Sequence, residues 1–315
     1  MSQSHHLCST CLVLEYFHPW PNSAGFYLAR QHKWYEQNGL DLHLTVPDPW
    51  HGDSLAHLRQ ARADFAVAPV SRLLVRRDGG EPLRAIAAIN HSALETIQTL
   101  RSKNINRPRD LAGRKLAMNP TPRGLAMIRH LVASDGGDPD AVKIVNSQFR
   151  EFRPEDLQNG LADASFGGYW AWEALMDSAI PQEERLVWPL GQLGAPAYHS
   201  YVLCTRDDII ETTPNKVRLF LDASEKGFLA AAHNPLAALP AYELATPYFP
   251  TELLSQSLKA IAPTWLHNGK WGELRTDVME EYTHWLAKNA IVSDRNIWRS
   301  AVIEQDFRHS VQDHS

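Results

Sequence analysis

The stretch FGGYWAWEAL, residues 166–175, sets Tyr169, Trp170, Trp172 and Glu173 within five positions directly after two glycines. Large rings pack or stack, and a carboxylate beside them is a strong hydrogen-bond acceptor. Read as a helix from Gly168 onward, the spacing places Glu173 three and four positions beyond Trp170 and Tyr169, on their face. Core packing of the rings, with Glu173 on the surface or stabilised at a helix N-terminus, is the competing reading.

The second chemically suggestive spacing is Cys8-Ser-Thr-Cys11, with His5 and His6 close by. A closed zinc site takes a second, distant pair of ligands; Cys204 alone does not supply one, so no metal is expected. Three cysteines also make no disulfide framework. The 15 histidines are scattered. The chain contains no G-x-S-x-G, Walker, G-x-G-x-x-G or H-E-x-x-H pattern.

At 315 residues the chain exceeds the roughly 250–300 residues at which one core stops growing, which predicts two lobes. A net charge of −5 without a basic run argues against a nucleic-acid partner. The pairs Arg76–Arg77 and Arg150–Arg153 are too short to alter that. No stretch reaches the roughly 18–20 apolar residues of a membrane span. The start, MSQSHHLCSTCLVLEYF, lacks a basic region followed by a clean apolar one, so the sequence as it stands reads as cytoplasmic; a preceding leader would make it periplasmic.

The elements that position these residues alternate. Strands are expected at 11–17, 40–46, 64–68 and 83–89, with helices at 25–39, over SLAHLRQARA and over SRLLVRRDG between them. The pattern restarts near residue 95, with a strand to Met118, a helix over PRGLAMIRHLVASDG, a strand over AVKIVN, a helix opened by Pro154 and Glu155, and a short strand ASFGG. A strand at 200–208 leads into helices at 214–233, 235–245, 251–262 and 273–289. This predicts an α/β protein with largely parallel sheets in two lobes: 11–97 with 201–315, and an inserted lobe 98–200, joined by a hinge around a central ligand cleft.

In order along roughly residues 11–292, the segments FHPWPNSAGFYLARQHKWYEQNGLDLHLTVP, ARADFAVAP, EPLRAIAAI, INRPRDLAGRKLAM, GGYWAWEAL, GAPAYHSYVL and EYTHWLAKNAIV resemble the thiamine-pyrimidine branch of the type II solute-binding proteins. The resemblance implies a two-lobed periplasmic-binding-protein fold that delivers a small ligand to an ABC permease, with no cofactor, nucleic acid or membrane insertion. An aminopyrimidine is the ligand it implies first; a sulfonate or other small anion is the alternative. On this reading Tyr169 or Trp170 stacks on the ring and Glu173 accepts from its amine edge, while Gly167 and Gly168 let the backbone approach or turn tightly.

Further expected ligand-binding residues stand at strand ends. Trp20 and Asn22 follow the first strand, although Ser23 stands where many relatives have histidine. Ser71 opens a helix after DFAVA, and Asn90, followed by His91, ends the fourth strand. Thr121 and Arg123 start the long helix of the second lobe, where anion-binding relatives hold oxygens; exposure to solvent is the plainer reading of Arg123. Tyr198 and His199 precede the second crossing. Tyr27 reads as core, and Trp50 as either a lid or a packing ring.

A fungal relative is an enzyme that builds the pyrimidine, holding pyridoxal phosphate on a lysine, consuming its own histidine and carrying a cysteine run. Here the matching positions are Ala68, Arg72 and the thiol-free GAPAYH. Without an amine there is no Schiff base. A pyrimidine-metabolism enzyme is therefore the third reading, behind both binding proteins.

Overall fold

The computed structural model describes residues 7–148 and 150–303. They divide into two units: the first takes residues up to His91, Tyr198–His284 and those from Val292 on, the second Ser92–Ala197 and Trp285–Ile291.

The first unit is built on a five-stranded sheet of β1 (Cys8–Val13), β2 (Leu40–Thr45), β3 (Phe65–Pro69), β4 (Leu83–Ala88) and, from later in the chain, β10 (Tyr201–Arg206). Its order is β2-β1-β3-β10-β4. β1 runs parallel to β2 and β3, while β10 is antiparallel to both β3 and β4. The second unit repeats the plan with β5 (Glu95–Leu100), β6 (Lys115–Met118), β7 (Lys143–Asn146), β8 (Ala164–Tyr169) and β9 (Arg185–Pro189), in the order β7-β6-β8-β5-β9. Here β5 is antiparallel to β8 and β9. The sheets are thus mixed α/β rather than purely parallel.

β5 and β10 each begin a few residues after the chain enters a unit. Because they run against their neighbours, their first residues share an edge with the carboxyl ends of the parallel strands, where open α/β sheets place ligands.

Several elements differ from the sequence reading. β1 starts at Cys8 because its N–H donates to the Gly39 carbonyl at 2.8 Å and pairing with β2 continues to Val13. Cys8 and Cys11, three apart in a strand, project from opposite faces and are no chelating pair; no metal-holding group of His, Cys, Asp or Glu occurs among the described residues. His5 and His6 lie outside those residues. The helix expected over 25–39 is two, Ala24–Gln31 and Trp34–Gln37, separated by a left-handed Lys33 (φ 58°). β9 was not anticipated, since RLVWP is a short apolar run among acidic and proline residues. No helix of the described residues is long and apolar enough to cross a membrane.

The first core forms where the helix Pro214–His233 crosses Ala24–Gln31. Phe65 and Phe220 stack at 4.0 Å between centroids, and the Tyr35 and Ser224 hydroxyls share a 2.8 Å hydrogen bond. The crossing is close: a Cβ at Gly227 would stand 2.0 Å from the Gly25 carbonyl oxygen, and one at Gly25 would stand 2.3 Å from the Phe228 ring. Backbone cannot yield as a side-chain tip can. Gly227→Ala is therefore expected to lower stability by about 2 kcal/mol or more, the upper range of overpacking costs; urea denaturation checks it, and an unchanged midpoint would contradict the close crossing.

Candidate functional site

In the second unit, β8 delivers the aromatic segment to its end. Gly167 lies at φ 127°, a conformation that side chains rarely adopt. Beyond Tyr169 there is no α-helix: the chain turns, and a single 3₁₀ turn covers Glu173–Leu175. This corrects the helical spacing expected from Gly168. The turn arises because Trp170 donates its backbone N–H to the Leu94 carbonyl and its indole N–H to the Ala93 carbonyl, both at 3.1 Å, continuing strand-like contact with the segment before β5. Trp172 is fully buried and belongs to the core. Tyr169, Trp170 and Glu173 are half-buried.

Glu173 still meets the segment, through the backbone: its Oε2 accepts from the Tyr169 N–H at 2.7 Å. Gly168 explains how it fits. A Cβ there would lie 2.8 Å from Gln98 Nε2, 3.3 Å from Glu173 Cβ and 3.6 Å from Glu151 Oε2. Glu151, in the loop after β7, was missed by sequence reading, as was Glu95, the first residue of β5. Glu151 is exposed as a residue, but its carboxyl reaches toward Gly168, where desolvation and the charges of Glu173 and Glu95 push it up to about 7.

The same edge holds the start of the helix Pro122–Ser134. Thr121 is its N-cap, accepting from the Gly124 N–H at 3.1 Å. Arg123 turns back to Glu95 at 2.5 Å, an ion pair with both side chains largely covered. Arg123 is therefore not the exposed helix-start residue of the plainer reading. Glu95 and Glu173 thus act on Glu151 at the edge of one sheet, with Arg123 paired to Glu95.

The first unit gathers a different set at its strand ends. Glu15, two residues past β1, accepts through Oε1 from the Trp20 indole N–H at 2.8 Å and from Asn22 Nδ2 at 3.0 Å. Asn90, after β4, donates from Nδ2 to Asn22 Oδ1 at 2.7 Å and to Thr264 Oγ1 at 2.8 Å. Trp20, Asn22 and Asn90 are brought together, but almost wholly buried. His199 is fully buried as well: its Nε2 accepts the Arg275 backbone N–H at 3.2 Å, so the proton sits on Nδ1 and faces the Asn90 carbonyl at 3.3 Å. Burial, with His91 alongside, pushes the His199 pKa down to about 3, and burial with His267 and Arg275 pushes that of His91 down to about 4. Both rings are neutral at pH 7.

Tyr198 is buried and stacks on Tyr282 with centroids 4.9 Å apart. Ser71 lies half-buried in the helix Val70–Asp78, apart from this network. Tyr27 is core, whereas Trp50 is 94% exposed on a turn capped by Asp48.

A sequence model of the family described as "NMT1/THI5 like" matches residues 20–238. A putative thiamine biosynthesis protein of Haemophilus influenzae is 26% identical over 234 residues, covering 74% of this chain and 71% of that protein. The formylaminopyrimidine-binding protein of Halalkalibacterium halodurans is 22% identical over 294 residues, 91% of this chain and 86% of that one. Among solved structures, the periplasmic aliphatic sulphonate binding protein of Escherichia coli superposes with a TM-score of 0.72 at 14% identity, covering 94% of this chain and 92% of that one. That likeness establishes the type II periplasmic-binding-protein fold.

The raised Glu151 carboxyl makes stability depend on pH. Between its ordinary value of 4.5 and about 7 the folded protein keeps a proton that the unfolded chain has released. Its contribution is present in full below the lower value and is lost as pH rises through the upper one. Comparing urea midpoints at about pH 5 and about pH 8, Glu151→Gln is expected to shrink the wild-type loss and to be the more stable protein at the higher pH; identical pH profiles would contradict it.

Proposed function

This chain belongs to the NMT1/THI5-like family, and from that premise we propose that it is the substrate-binding protein of an ABC-type importer, capturing a thiamine pyrimidine precursor. The observation that carries the reading is the set Glu95, Glu151 and Glu173 around the sheet edge of the second unit, with Arg123 already paired. Such an edge has a negative field. It favours a ligand that brings N–H groups or positive charge and opposes an anion such as a sulfonate.

An aminopyrimidine fits that requirement. Its amine and ring nitrogen form a planar edge for a carboxylate, and its faces suit the half-buried rings of Tyr169 and Trp170. The Tyr169 N–H donates to Glu173 Oε2 at 2.7 Å, which fixes the position of this carboxylate before a ligand arrives. The names of the two sequence relatives point the same way. An importer partner and a periplasmic location follow from this role.

Catalysis of the fungal kind is disfavoured by the residues themselves. Ala68, at the lysine position, is a fully buried methyl in β3, and Arg72, at the histidine position, pairs with Asp53 at 3.1 Å. Neither forms a Schiff base nor donates an imidazole.

Titration calorimetry with 4-amino-2-methylpyrimidine derivatives, thiamine, riboflavin and aliphatic sulfonates tests the assignment. Binding is expected for the aminopyrimidines. Glu173→Gln is expected to weaken it by about 10- to 100-fold, the size of a lost hydrogen bond to a charged group. Binding of sulfonates alone would overturn the pyrimidine assignment.

A further inference from the structure

The network in the first unit is directional, and its direction leaves two acceptors open. Both Nδ2 hydrogens of Asn90 are spent, on Asn22 Oδ1 and Thr264 Oγ1. Asn22 passes the direction on by donating to Glu15 Oε1, where the Trp20 indole also donates. Each amide orientation follows from these partners, so no flip is free.

What remains is Asn90 Oδ1 and Glu15 Oε2. Both atoms are buried from solvent and have no hydrogen-bond partner among the described residues. Asn90 itself has no exposed surface. A buried acceptor without a donor costs roughly 1–3 kcal/mol, and more when charged. A fold that only needed to pack this region would do better with apolar side chains of similar volume. Both residues also follow the carboxyl ends of parallel strands, β1 and β4, the edge at which α/β sheets receive ligands.

Resting on the pyrimidine reading above, we infer that Glu15 is a specificity-determining residue of this protein, whose Oε2 accepts an N–H group of the ligand, as does Asn90 Oδ1 at the other end of the Asn90–Asn22–Glu15 chain. The Trp20 and Asn22 donors saturate Oε1 and stop the carboxylate from rotating. Oε2 is thereby a fixed acceptor that selects an amino substituent and rejects an oxo substituent at the same place, because two acceptors face to face leave both unpaired. Burial raises the Glu15 carboxyl above its ordinary range, so a donor or a positive charge from the ligand also relieves the cost of ionising it.

Glu15→Gln gives a sharp test. Trp20 and Asn22 continue to favour an oxygen at the Oε1 position, which places the new amide NH2 where Oε2 stood. An acceptor becomes a donor with little change of shape. Calorimetry on wild type and variant, using a 4-amino-2-methylpyrimidine and its 4-oxo analogue, is expected to show a preference for the amine in the wild type that falls by about 10- to 100-fold in the variant, with the oxo analogue gaining. An unchanged preference in a variant whose urea midpoint matches the wild type would overturn the role of Glu15 while leaving the pyrimidine reading intact. Wild-type binding of neither pyrimidine would overturn both. Should Glu15→Gln not fold, a crystal structure of the wild-type complex decides: a ligand nitrogen within hydrogen-bonding distance of Oε2 supports the inference, and an internal water there with the ligand elsewhere overturns it.

Discussion

The Glu151 carboxyl, desolvated beside Glu173 and Glu95, is the constraint around which this end of the second unit is arranged. Desolvation first, then the charges of Glu173 and Glu95, oppose its ionisation, and the cost is visible in the rise of Glu151 to about 7. Three local features make the grouping tolerable. Arg123 neutralises Glu95, the Tyr169 N–H holds one oxygen of Glu173, and Gly168 leaves room that a Cβ would take. A ligand bearing N–H groups or positive charge is the natural complement.

Strand direction explains why such residues meet. Glu95 opens β5, the antiparallel member, while Glu173 follows β8, Glu151 follows β7 and Arg123 follows β6. One reversed strand thus brings a first residue to the edge where its neighbours end. In the first unit the same device sets Tyr198 and His199 just ahead of β10, level with Asn90 after β4. There the side chains form a buried chain of directed hydrogen bonds instead of a charge cluster, and that chain rigidifies the oxygens it leaves open.

Much of the fold was legible from periodicity alone. The helix Pro214–His233 and the strands around FAVA and LRAIAA stand where apolar patterning put them, because long amphipathic stretches and short apolar runs bounded by turn residues leave few alternatives. The segment after Gly168 was misread. Its ring spacing suits a helix locally, but hydrogen bonds from Trp170 to Ala93 and Leu94, far away in sequence, hold it in a turn instead. β9 escaped for the converse reason, being a short run whose partner β5 supplies the strand environment. Glu151 and Glu95 carried no local signal. Glu15, embedded in LEYF, looked like part of a strand, and only the return of Trp20 and Asn22 onto it reveals a held carboxylate. Side-chain types near strand ends were readable; which of them tertiary contacts consume, as with Thr121 at its cap and His199 between Asn90 and Arg275, was not.

The shared field of the three glutamates is open to direct observation. With side-chain carboxyl carbons labelled by ¹³C, an NMR titration of the unliganded protein should show Glu151 changing shift with a midpoint near 7, moving toward the ordinary glutamate range when Glu173 is replaced by Gln. Ordinary midpoints for every glutamate, unmoved by that replacement, would contradict the account.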